Sequence, residues 1–202
     1  LKIEKGEKIL VIGPSGSGKS TLGQCLNGLI PHSIKGRISG LLKIGGVAST
    51  KLKMHDHSLS VGTVLQDSDS QFVGLSVAED IRFSLENEMT PQAEMFPLVN
   101  KVAAMVDLEA LLAQSPYALS GGQKQRVSLA GILVDDTDIV LFDEPLASLD
   151  PQTGKKAIEI IDQLHQETGK TILIIEHRLE DVLHRHVDRV ILMEQGEIIA
   201  DM

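Results

Sequence analysis

Apolar residues fall along this chain in two rhythms. Short continuous runs, "KILVIG" at 8–13, "DIVLFDEP" at 138–145 and "KTILIIEH" at 170–177, stop at glycine, carboxylate or histidine. They predict strands buried on both faces. "LSVGTVLQD" at 59–67 predicts another, ending near Gln66, and "RVILMEQGEII" at 189–199 predicts a hairpin through Gly196. Between these runs the apolar spacing changes to three and four. Helices are predicted over "LGQCLNGL" (22–29), "SVAEDIRFSLEN" (76–87), "LVNKVAAMVDLEALLA" (98–113), "SLAGILV" (128–134), "KKAIEIIDQLHQ" (155–166) and "LEDVLHRH" (179–186). Thr90-Pro91 begins a break, with Pro91 suited to a helix start, Pro116 closes the helical region, and Gly169 follows the end of the helix before it. "GRISGLLKIGGVAS" at 36–49 has short apolar runs split by glycines and predicts β-structure on a small lobe. Strands alternating with helices predict an α/β core around a mostly parallel sheet, with a run of helices inserted in the middle.

Composition narrows the classes. The 202 residues suffice for one well-buried domain, and a net charge of −9 argues against a broadly basic nucleic-acid surface. The lone Cys25 permits no intrachain disulfide, which favours a cytosolic setting. No apolar run reaches the roughly 18 residues of a membrane span, and no signal-peptide pattern is present, so membrane association is expected to go through a partner. The chain opens on Leu1 with residues that already resemble mid-domain sequence, so a piece of a longer protein is expected.

Candidate chemistry begins after the first strand. "GPSGSGKST" comprises Gly13, Pro14, Ser15, Gly16, Ser17, Gly18, Lys19, Ser20 and Thr21, and fits G-x-x-x-x-G-K-[ST] between a strand and a helix. Glycines let successive N–H groups turn toward one phosphate chain, and the following helix adds its N-terminal N–H groups. Lys19 would reach the β- and γ-phosphates of ATP, and the Ser20 hydroxyl would ligate Mg²⁺. A carboxylate at a second strand end should complete the site. Asp143 would hold the Mg²⁺ shell, and Glu144 would act as general base on the attacking water. An isolated Asp-Glu pair at a strand end is usually a solvated turn; the phosphate loop upstream reverses that reading here.

"ALSGGQKQRV" at 118–127 places two glycines where a helix begins, although each costs a helix interior about 1 kcal/mol relative to Ala. A helix cap explains Ser120 alone. The phosphate loop, "LSGGQ" and "DEP…SLD", in this order, resemble the ATP-binding-cassette (ABC) ATPases over nearly all of the chain. The resemblance implies one P-loop ATPase domain over 1–202, with a small antiparallel β lobe and a helical subdomain at 72–128 carrying the signature. It implies a head-to-tail dimer with a second ABC ATPase domain, in which Ser120, Gly121, Gly122 and Gln123 approach the γ-phosphate of the partner's ATP. Gln66 resembles the Q-loop glutamine that senses Mg²⁺ and the attacking water. Ser148 to Asp150 resemble the D-loop that crosses to the opposite subunit, and His177 resembles the switch histidine that contacts the γ-phosphate.

An aromatic residue upstream of the "GE" turn usually stacks on adenine in this family. No Tyr, Trp or Phe precedes Phe72, so that residue is expected outside this chain, with weak ATP affinity for the isolated segment. "LNGLIPH" at 26–32 and the stretch from Gln66 to Asn87 resemble the ATPases of energy-coupling-factor (ECF) importers. Those with two ATPase halves in one polypeptide, linked to cobalt or to thiamine and its pyrimidine precursor, are especially similar. That implies a vitamin, vitamin precursor or metal ion as cargo, integral membrane subunits as partners, no nucleic acid, and a peripheral place on the cytoplasmic membrane face. A soluble ABC ATPase acting on ribosomes or nucleic acid is the alternative. The short interval from Lys19 to Ser120 and the acidic balance speak against it. A small-molecule kinase would have no use for "LSGGQ". His55, His57 and His184–His186 lack the convergent partners that a metal site needs.

Overall fold

The computed structural model describes residues 1–65, 71–135, 137–147 and 149–202. In chain order its strands are β1 (Lys8–Ile12), β2 (Lys43–Ile44), β3 (Val47–Ala48), β4 (Val61–Val64), β5 (Ile139–Asp143), β6 (Thr171–Ile175), β7 (Arg189–Glu194) and β8 (Glu197–Asp201). The helices are α1 (Lys19–Leu26), α2 (Leu29–His32), α3 (Met54–Ser60), α4 (Val77–Asn87), α5 (Gln92–Met105), α6 (Gly121–Leu133), α7 (Pro151–Thr168) and α8 (Leu179–Val182).

Six strands form one sheet in the order β4-β5-β6-β1-β7-β8, and only β8 is antiparallel to its neighbour. Strict alternation sorts the buried side chains to the two faces. Leu10, Val140, Phe142, Ile172 and Ile174 face the core shared with α4, α5, α6 and α7. Ile9, Val11, Leu141, Leu173 and Ile175 face the opposite core, where Leu22 and Leu26 of α1 pack. β6 is buried at every position, as a central parallel strand covered on both faces must be. Gly23 lets α1 lie close to the sheet: a Cβ there would sit 3.1 Å from Leu141 and 3.2 Å from Ile175. A buried ion pair between Lys8 and Asp162 ties β1 to α7.

Several boundaries differ from the sequence pattern. α5 stops at Met105 because Asp107 adopts the left-handed conformation, φ 54°; a single 3-10 turn, Glu109–Leu111, follows. The helix expected over 179–186 closes after Val182. In the small lobe only two residues of each strand pair, across a Gly45-Gly46 turn with φ of 54° and 82°. Both glycines are left-handed, as a two-residue hairpin loop demands. α3 escaped the pattern because "MHDHSLS" is polar by composition, yet its His57 is fully buried and shares a hydrogen bond with Ser49 Oγ. α6 begins at Gly121, before the expected run at 128–134, and continues to Leu133.

Candidate functional site

β1 delivers the loop 13–18, and α1 receives it. Gly13, Gly16 and Gly18 have φ of 152°, 79° and 98°, so three of the six positions use conformations that side chains oppose. Gly13 is the most constrained: a Cβ there would lie 2.1 Å from the Met193 carbonyl oxygen. The loop is braced from the β7–β8 hairpin, where the Gly196 N–H donates to Ser17 O at 3.0 Å. Lys19 is 4% exposed and donates from Nζ to Gly13 O (2.9 Å) and Pro14 O (3.0 Å). Its ammonium therefore follows the inner curve of the loop. Pro14, Ser15, Gly16 and Thr21 are exposed, and Ser17 is buried.

Ser20, in the first turn of α1, donates its hydroxyl to Asp143 Oδ1 at 3.1 Å. Burial raises the Asp143 pKa above the ordinary carboxylate value; the Ser20 hydrogen bond opposes the rise, the Glu144 charge adds to it, Lys19 opposes it and Glu176 adds to it. A destabilised carboxylate beside a hydroxyl suits a hard cation, because a divalent ion relieves the crowding of negative charge. No group of three or more His, Cys, Asp or Glu side chains could hold a metal among the described residues. The Ser20 hydroxyl and the Asp143 carboxylate fit Mg²⁺, which takes one or two protein oxygens and fills its shell with substrate phosphates and water.

Glu144 follows in the left-handed conformation, φ 54°, at a cost of about 1 kcal/mol for a residue with a Cβ. Its N–H is held by Ile175 O at 2.9 Å, and its carboxylate Oε1 lies 2.6 Å from His177 Nε2. β5 and β6 are neighbours in register, with Asp143 opposite Ile175, so the residues just beyond them must meet. The pair offers a carboxylate acceptor held by an imidazole, an arrangement able to take a proton from water.

The signature residues sit apart from this cluster. Ser120 caps α6, accepting from Gln123 N–H at 3.4 Å, while Gln123 Oε1 accepts from Ser120 N–H at 2.9 Å. This reciprocal cap closes the end of the helix. Gly122 has a packing reason beyond any anion: a Cβ would approach Thr153 Cγ2 of α7 to 2.7 Å. Gly121 is open, with Leu149 at an ordinary 3.5 Å. No hydrogen bond joins 120–123 to the loop 13–21 among the described residues. Asp150 caps α7 through Gln152 N–H (3.0 Å) and Thr153 N–H (3.1 Å), and its carboxyl pKa is lowered first by the Thr153 hydroxyl and then by the Thr153 N–H. Gln66 and Ser148 lie outside the described residues. Sequence reasoning passed over Glu176 and Arg178, which follow β6 and hydrogen-bond into the 146–149 segment. The available signal was a carboxylate directly after a five-residue apolar strand.

Residues 1–147 match the family described as ABC transporter. The chain belongs to that family. An ABC transporter ATP-binding protein of Vibrio parahaemolyticus, provisionally so named, is 73% identical over 201 residues. A similarly named protein of Clostridium perfringens is 62% identical over 201 residues. Each match covers 100% of this chain and 35% of the relative, so the chain spans about a third of their length. Among solved structures, cbiO1 of Clostridium perfringens, described as part of the ABC transporter complex cbiONQ, aligns over all of this chain and 78% of its own. Its TM-score is 0.89 at 31% identity. The dimeric bacterial ABC cassette MJ0796 aligns over all of this chain and 87% of its own, with a TM-score of 0.83 at 27% identity. A structure of that cassette holds ADP and Pi in a post-hydrolysis state. The fold and the family make this chain an ABC-type cassette. No helix among the described residues is long and apolar enough to cross a membrane.

Proposed function

We propose that this chain is the ATP-hydrolysing cassette that powers an ECF-type membrane importer. The observation that carries the proposal is the clustering, at one end of the sheet, of the phosphate loop, the Ser20–Asp143 contact and the Glu144–His177 pair. The signature at 120–123 makes no hydrogen bond to the phosphate loop of its own chain among the described residues, which supports its serving the partner in a head-to-tail dimer. Similarity to cbiO1, part of the ABC transporter complex cbiONQ, supports membrane partners.

In the proposed cycle, the loop amides and Lys19 hold the β- and γ-phosphates, with Lys19 exchanging its carbonyl partners for phosphate oxygens. Ser20 and Asp143 would hold Mg²⁺, which neutralises charge on the phosphates when bound; Gln66 is expected to join that shell. Glu144 takes the proton of the attacking water, and His177 fixes the carboxylate that receives it. A second cassette contributes its Ser120, Gly121, Gly122 and Gln123 to close the site, and Asp150 borders that contact. ATP-driven closure and reopening would move the membrane subunits. The cargo is a vitamin, a vitamin precursor or a metal ion.

Purification of the tagged full-length protein from gently solubilised membranes tests this reading. A membrane-embedded scaffold with a small substrate-binding membrane protein is the expected yield. Ribosomal or DNA-bound partners without any membrane protein would overturn it.

A further inference from the structure

Glu176 is 2% exposed, yet it carries a carboxylate. Its two oxygens are fully engaged by backbone. Oε1 accepts the Leu146 N–H at 2.8 Å; Oε2 accepts the N–H groups of His177 at 2.7 Å and Arg178 at 3.1 Å. Leu146 is two residues past Glu144, and His177 is the next residue after Glu176. One side chain therefore grips both loops that present the 2.6 Å contact between Glu144 and His177. The backbone of Glu176 is anchored too, since its N–H donates to Val11 O of β1 at 3.2 Å, just before the phosphate loop. Arg178 repeats the link from the other side, donating from one guanidinium nitrogen to Leu146 O and Leu149 O, both at 2.9 Å. Its second terminal nitrogen pairs with Asp181 Oδ2 at 2.5 Å.

Burying a carboxylate is costly unless its acceptor sites are filled. A neutral core residue would pack after β6 without that demand. Three backbone donors from two loops are an arrangement only a carboxylate can use, because both of its oxygens accept. A glutamine at the same place would turn an NH₂ group toward an N–H, replacing attraction with repulsion.

We propose that Glu176 is a positioning residue for hydrolysis: its buried carboxylate sets the separation of Glu144 and His177 by holding the backbone of both loops. This rests on the reading that Glu144 and His177 act on the water that attacks ATP. Glu176 does not touch that water. It acts through His177 and through the 144–146 turn.

ATP turnover by the full-length protein tests the assignment, with the rate of Glu144→Gln taken as background. Glu176→Gln should lower kcat by about fivefold or more while KM for ATP stays within about twofold, the signature of a loss confined to the transition state. In a His177→Ala background the same change should lower kcat by less than about twofold, because residues acting as a unit are not additive. An unchanged kcat in Glu176→Gln, or a full additive loss on top of His177→Ala, would overturn the proposal. If Glu176→Gln fails to fold, Glu176→Asp keeps the charge but shortens the reach, and it is judged by the same two criteria. A Glu144→Gln protein that turns over ATP like the wild type would instead sink the reading of the hydrolytic pair, and with it the basis of this proposal.

Discussion

His177 Nε2 lies 2.6 Å from Glu144 Oε1, across 33 residues of sequence. Two features impose the contact: the neighbouring register of β5 and β6, and the left-handed turn at Glu144. Replacing Glu144 with Gln should lower the rate of ATP hydrolysis by about two orders of magnitude or more, the usual worth of a positioned proton acceptor. Nucleotide affinity should change little, because Lys19 and the loop amides are untouched. His177→Ala should act in the same direction, and the double variant should be no slower than the product of a shared step allows. Single-turnover hydrolysis beside equilibrium nucleotide binding checks all three.

Asp135, just past α6, is half-buried, and its pKa is raised from 3.8 to about 6. Burial is the main cause; the Ser84 hydroxyl opposes it and the Glu88 charge adds to it. The folded state therefore holds a proton that the unfolded chain releases. Stability from this group is complete below the unfolded value and is lost as pH rises through the folded value, in a window from 3.8 to about 6. Asp135→Asn should stabilise the protein at pH 7 by about 1 kcal/mol, after allowance for solvent screening of a half-exposed group, and should gain almost nothing near pH 4. Chemical denaturation of both proteins at the two pH values gives the difference.

The glycines at 13 and 122 are constrained by different neighbours. Gly13→Ala would drive a methyl group into the Met193 carbonyl, 2.1 Å from the ideal Cβ, at a φ of 152°. Backbone cannot yield cheaply there, so a loss of about 2 kcal/mol or more is expected. Gly122 meets only the Thr153 methyl. Gly122→Ala should be better tolerated when combined with Thr153→Ser, which removes that methyl and leaves alanine its helix preference of about 1 kcal/mol. Thermal melts of the single and double variants measure the coupling.

Much of this architecture was legible because its signals are local. The runs at 8–13, 138–145 and 170–177 are buried strands, and Gly169 marks the end of α7 as cap chemistry predicts, while its start at Pro151 lies four residues before the expected Lys155. Ser20, Asp143, Glu144 and His177 come together as their places after strands imply. What escaped were features set by distant neighbours. His57 looks like a surface polar residue until α3 turns it inward against Ser49. Gly122 has a packing reason as well, which shows only when Thr153 of α7 is seen against it. Glu176 is one more acid beside a motif histidine until its three backbone donors come from two loops. The left-handed Asp107 that ends α5 carries only the weak signal that Asp tolerates positive φ.

The central place of β1 has a consequence for how the chain is made. β1 leaves the ribosome well before its two neighbours, β6 and β7: Lys8 pairs with Ile172, and Ile9 with Arg189. Until both arrive, a strand whose Ile9, Leu10 and Val11 are fully buried when folded has neither edge covered. Such late, long-range pairing is slow and leaves apolar surface open to chaperones in the meantime. The phosphate loop hangs from the end of that strand, so nucleotide binding is reserved for chains whose synthesis has passed the whole sheet.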